Sequence, residues 1–109
     1  MATTRIFMEY VTDQLRLVPS LRCRPLMGEY GLWRAGQFFG TIEDNMLCLK
    51  ITPAGRDLLP GAREVEPHPG ARYLYVEDLD DPEFLARLVE ATCASLPPPR
   101  HARQAKNQK

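Results

Sequence analysis

Arg24-Pro25-Leu26-Met27-Gly28-Glu29-Tyr30-Gly31-Leu32-Trp33, continued by Phe38-Phe39-Gly40-Thr41-Ile42 and Leu47-Cys48-Leu49-Lys50-Ile51, is the stretch whose reading decides the fold. Aromatic and branched residues fill three short runs, while Arg34-Ala35-Gly36-Gln37 and Glu43-Asp44-Asn45-Met46 carry the residues that turn a chain tightly. The pattern predicts an antiparallel meander, the middle of a small sheet. Leu47, Leu49 and Ile51 alternate with Cys48 and Lys50, so the third run lays one face on a core. Gly28 and Gly31 flank Glu29-Tyr30, and glycine in a strand marks a bulge or a close backbone approach.

Upstream, Leu21 to Leu26 reads as a first strand, in which Pro25 calls for an edge position or a bulge. Before it, Ile6, Phe7, Tyr10, Val11, Leu15 and Val18 recur at helical steps with Arg5, Glu9, Asp13 and Arg16 facing away; Thr3 or Thr4 is the cap and Pro19 the stop. Downstream, Thr52-Pro53 opens a short helix that Pro60-Gly61 ends. Arg63 to Gly70 is a proline-rich loop with room for a short strand at Arg63 to Glu66. Arg72 to Glu77 is the last strand, with Tyr73 and Tyr75 on one side and Leu74 and Val76 on the other. Asp80-Asp81-Pro82-Glu83 caps a long helix whose stripe runs Phe84, Leu88, Thr92, Leu96 beside Leu85, Val89 and Cys93, and Pro97-Pro98-Pro99 ends it. The expected fold is α+β: one domain over residues 1–97, a mainly antiparallel sheet of four to five strands, an N-terminal helix, a short middle helix and a long C-terminal helix. Residues 98–109 are expected to form a disordered basic tail.

A chain of 109 residues suffices for one domain. Its 14 basic and 14 acidic residues balance, but Arg100, Arg103, Lys106 and Lys109 sit in a tail without acids. The body is therefore acidic, which argues against nucleic-acid binding beyond weak contact through the tail. Three cysteines outside any CxxC spacing fit a reducing compartment. Glu9 and Asp13 interrupt the first apolar run, so neither a signal peptide nor a membrane span is expected, and a cytoplasmic location follows.

On the residues quoted first, the chain resembles the N-terminal domain of the TfoX/Sxy competence regulators, whose pattern runs Arg-x-Met-Phe-Gly-Gly-Tyr-Gly, then a hairpin, then Leu-Tyr-Leu-Lys. Here Arg24, Gly28, Tyr30, Gly31 and Lys50 match; Glu29 replaces a glycine and Cys48 a tyrosine. The resemblance covers residues 4 to 96 and implies an α+β domain without enzymatic activity, acting as a homodimer through protein–protein contacts. A transcription factor is the partner implied, in competence regulation. The helical second domain of the longer regulators is not expected here, since a proline stop and a tail follow Leu96.

Arg24, Tyr30 and Lys50 are the candidate binding residues, polar positions in or beside strands that would converge on an anion or a partner's carboxylates. In the plainer reading Arg24 pairs with Glu29 or another carboxylate and Tyr30 caps the core with its ring. Trp33 and Phe39 are the candidate interface, on the sheet face that the helices leave uncovered. Glu77, Asp78, Asp80, Asp81 and Glu83 read as helix capping, since the spacing of an EF-hand loop is absent. His68, between two prolines, and His101 are the only histidines, and no Cys/His spacing, GxSxG elbow or phosphate loop is present. Cys48 has Lys50 on its own face, the one thiol with a cation near, although an inert half-buried thiol fits the pattern better. No catalytic residue, metal or cofactor is expected. Two functions follow: a homodimeric protein-contact domain, or a homodimer binding a small molecule or anion.

Overall fold

Each of the first three strand connections is a two-residue turn whose central residues both have positive φ. They are Met27-Gly28 (51° and 84°), Ala35-Gly36 (50° and 82°) and Asp44-Asn45 (53° and 55°) in the computed structural model, which describes residues 2–99. Such turns match the twist of the strands they join. They connect β1 (Leu21–Leu26), β2 (Glu29–Arg34), β3 (Gln37–Glu43) and β4 (Met46–Lys50) into the expected meander. A second hairpin, β5 (Glu64–His68) and β6 (Ala71–Val76), completes a six-stranded sheet ordered β1-β2-β3-β4-β6-β5, antiparallel throughout.

The sheet thus exceeds the expected four to five strands, and the addition is β5, in the stretch read chiefly as a loop. Pro67 is tolerated there because β5 lies at an edge, as Pro25 is in β1. Of the tail expected over 98–109, only Pro98 and Pro99 are among the described residues.

Three helices, α1 (Arg5–Gln14), α2 (Pro53–Leu58) and α3 (Pro82–Ala94), are capped by Thr4, Thr52 and Asp81, whose side chains accept from the amides of Phe7, Gly55 and Phe84. Their apolar faces meet one side of the sheet: Val11 and Leu15 of α1 and Leu85, Leu88 and Val89 of α3 join Leu32, Ile42, Leu47, Leu49 and Val76 in one core. The α1 stripe is narrower than the sequence predicts. Ile6 is 81% exposed and Tyr10 40%, the latter donating from its hydroxyl to Asp80. The side of α1 through Phe7, Met8 and Val11, continued by Leu15, touches the core.

A bulge in the β2–β3 pairing sorts the aromatics. Leu32 pairs with Gly40 and Trp33 with Phe38, leaving Phe39 as the extra residue of β3. Phe39 turns into the helix-side core and is fully buried, so its assignment to an exposed interface is corrected. Phe38 takes the open face instead and meets the Trp33 ring at 5.3 Å. Gly40 is required beside the bulge, because a Cβ there would stand 2.2 Å from the Cys48 carbonyl oxygen on β4. On the open face the Trp33 ring lies over Gly31, 2.7 Å from where a Cβ would be.

Phe39→Ala is expected to cost about 3–5 kcal/mol in urea unfolding, and Phe38→Ala well under half of that. Equal losses at the two positions would contradict this sorting. Gly40→Ala is expected to cost about 1–3 kcal/mol, since a backbone oxygen has to give way.

Candidate functional site

The helix-free face of the sheet should be wet, yet Thr41, Glu43, Cys48 and Tyr73 are all buried on it. Register places them there: Thr41 pairs with Cys48, Cys48 with Tyr75 and Lys50 with Tyr73, out of phase with the core residues Ile42, Leu47 and Leu49. The β5–β6 hairpin shifts register between Val65 and His68, and its tip, Pro67-His68-Pro69, folds over this face. His68 Nδ1 lies 2.7 Å from Glu43 Oε1 and fastens the tip down.

Between that tip, the β1–β2 turn and the sheet is a cleft of about 730 Å³. Thr41, Glu43 and Tyr73 form its floor, Leu26, Tyr30 and Phe38 its apolar walls, and Glu29 and Asp44 its rim. Its charged side chains are all acids apart from His68; no lysine or arginine lines it among the described residues. A carboxylate only accepts, so the His68 contact puts the proton on Nδ1 and leaves Nε2 outward. Glu43 Oε2 is closed off from water with no hydrogen-bond partner, and Thr41 Oγ1 makes no hydrogen bond of standard geometry. Burial, and then the charge of Glu43, raise the Tyr73 phenol above its ordinary value. Tyr73 thus stays a neutral donor. Burial likewise pushes the Cys48 thiol up to about 12.

Lys50 does not activate that thiol, because its ammonium sits over the Phe38 ring, 5.2 Å from the centroid. Arg24 and Lys50 share the open face but stand on strands three apart, about 14 Å at the usual strand spacing. Tyr30 pairs with Ile42 and packs against the core, so the trio does not gather at one point. Trp33 is half-buried over Gly31, and Gly28 occupies the β1–β2 turn at the cleft mouth. The sequence reading missed Glu43, Thr41 and Tyr73 as site residues. The available signal was the open-face phase of Thr41 and Glu43 about Ile42, together with a histidine held between two prolines.

Glu29 ties the rim together. Its carboxylate accepts from the amides of Thr3 at 2.9 Å and Asp44 at 2.9 Å, while the Thr4 amide donates to Asn45 Oδ1 and the Asn45 amide to Thr3 Oγ1, so the Thr3-Thr4 segment is stitched to the β3–β4 turn. Burial alone would raise the Glu29 carboxyl, but the amides of Asp44 and Thr3 outweigh it and hold the group below its ordinary range.

No family model matches the chain, and no solved structure matches it. A protein of Spirochaeta aurantia described as "Uncharacterized 12.7 kDa protein in trpE 5'region" is 34% identical over 112 residues, spanning 99% of this chain and 95% of the relative. This chain belongs to that family. The match runs across every element that builds the cleft, from the Thr3 stitch to the β5–β6 tip. No helix among the described residues is long and apolar enough to cross a membrane.

Because the folded-state value of Glu29 is depressed, its contribution is present above the unfolded carboxylate value of 4.5 and is lost as pH falls through the lower folded value. Wild type is expected to exceed Glu29→Gln by about 1 kcal/mol at neutral pH, the worth of charge-assisted bonds at a partly exposed group. The gap should close as the pH falls from 4.5 through the lower folded-state value. A gap that widens in acid would contradict the assignment.

Proposed function

We propose that this protein is a small-molecule-binding domain whose ligand occupies the cleft under the β5–β6 tip. The observation that carries this is the Glu43 carboxylate, buried on a helix-free sheet face with Oε2 unpartnered at a cleft of ligand size. Leaving such a group unpaired costs about 1–3 kcal/mol, which an occupant's donor returns. Apolar walls with a few convergent polar groups are the usual make-up of such sites. The acidic lining speaks against the anion that Arg24, Tyr30 and Lys50 were expected to hold. It favours a ligand that donates hydrogen bonds.

A second reading, contact with a protein, draws support from the half-buried Trp33–Phe38 pair beside Lys50 at the far end of the same face. It is the reading that the TfoX-like pattern implies, with a second copy or a transcription factor as partner. Trp33→Glu separates the two: under the contact reading it abolishes self-association in sedimentation, and under the ligand reading it leaves cleft binding unchanged.

A thermal-shift screen of small metabolites is expected to return compounds that raise the midpoint of the wild type but not of Glu43→Gln, because binding to the folded state alone shifts unfolding. Compounds that stabilise both proteins equally, or none that stabilise the wild type, would refute the cleft as the site.

A further inference from the structure

We infer that the cleft takes an organic ammonium, a primary or secondary amine on a small apolar or aromatic body, and that it binds by displacing His68 from Glu43. The inference rests on the ligand-binding reading above and names the ligand's class. Glu43 Oε2 is closed off, so a ligand cannot simply add to Glu43; it has to replace the group that holds Oε1. His68 is that group, and it can leave. Its side chain is 46% exposed against 9% for Glu43, and it sits on an edge hairpin rather than in the core. The imidazole therefore stands in for the ligand: a nitrogen donor that fills the carboxylate when nothing else does. A primary ammonium carries three donors, and a secondary one two, against the single Nδ1–H, so in place of the imidazole it can reach both carboxylate oxygens, or one of them and the Thr41 hydroxyl on the same floor. Leu26, Phe38 and Tyr73 offer apolar contact to its body. A carboxylate or phosphate ligand would instead meet Glu29, Glu43 and Asp44 with no cation lining the cleft among the described residues.

The mechanism sets the two partners of one contact against each other. Removing Glu43 destroys binding, whereas removing His68 removes a competitor and strengthens it. A histidine that merely shaped the site would do the reverse.

The test titrates the full chain with benzylamine, benzyl alcohol and benzoate, followed by the backbone amide signals of Thr41, Glu43 and Tyr73. Benzylamine is expected to perturb them saturably and more tightly than the other two. Glu43→Gln is expected to weaken it at least tenfold, and His68→Ala to tighten it about three- to tenfold, the range that the net worth of one hydrogen bond sets. Benzoate or benzyl alcohol binding as well as benzylamine would overturn the ammonium assignment while leaving the cleft as a binding site. Weaker benzylamine binding in His68→Ala would overturn the displacement step. Silence from all three compounds would overturn the assignment together with the reading it rests on. Should Glu43→Gln fail to fold, the His68→Ala arm and the three-way comparison in wild type decide the matter.

Discussion

The approach of β3 to β4 at Gly40 is the constraint on which the rest depends. With the Cys48 carbonyl 2.2 Å from any Cβ, no side chain fits there, and beside it the chain carries one residue more than its β2 partner. That extra residue shifts the phase of β3. Before it, Phe38 faces away from the helices; after it, Ile42 faces them and Thr41 and Glu43 face away. Without the shift, an unbroken alternation from Ile42 back along β3 would put Phe38 in the core and Phe39 on the open face. One local irregularity therefore supplies the core's largest fully buried side chain and puts Phe38 on the face that carries the polar floor of the cleft.

The open face then shows a contest between two costs. A helix-free sheet face that carries Phe38, Tyr73, Tyr75 and a thiol is too apolar to leave bare, yet Glu43 and Thr41 resist burial without partners. Folding the β5–β6 tip over the face satisfies the first cost and only half of the second, because His68 reaches one carboxylate oxygen and not the other. The remaining deficit is local and chemical in kind.

What was legible in the sequence is what depends on neighbours in the chain. The caps at Thr52 and Asp81, the prolines that follow them, the turn at Asp44-Asn45 and the stripe of α3 are decided within a few residues, and they stand where the pattern puts them. Phe38 and Phe39 were indistinguishable because a bulge is a relation between two strands, not a property of either. The Glu43–His68 contact was hidden for a stronger reason: it joins residues 25 apart, through a hairpin that leaves the plane of its own sheet. Ile6 and Tyr10 show the opposite failure, apolar periodicity wider than the surface available to cover it.

The cleft takes its floor from the central strands and its walls from the tips of the two edge hairpins, β1–β2 and β5–β6. The floor is bound to the core through the same strands that carry Ile42, Leu49 and Leu74, so it is as hard to alter as the fold itself. The tips contribute little to that core: Met27 is 92% exposed and His68, Pro69 and Gly70 are exposed. Selectivity and stability are in this way written into different parts of the chain. Under the proposed ligand reading, substitutions in these two short turns reshape the cleft walls, while the Glu43 carboxylate beneath stays where the sheet places it.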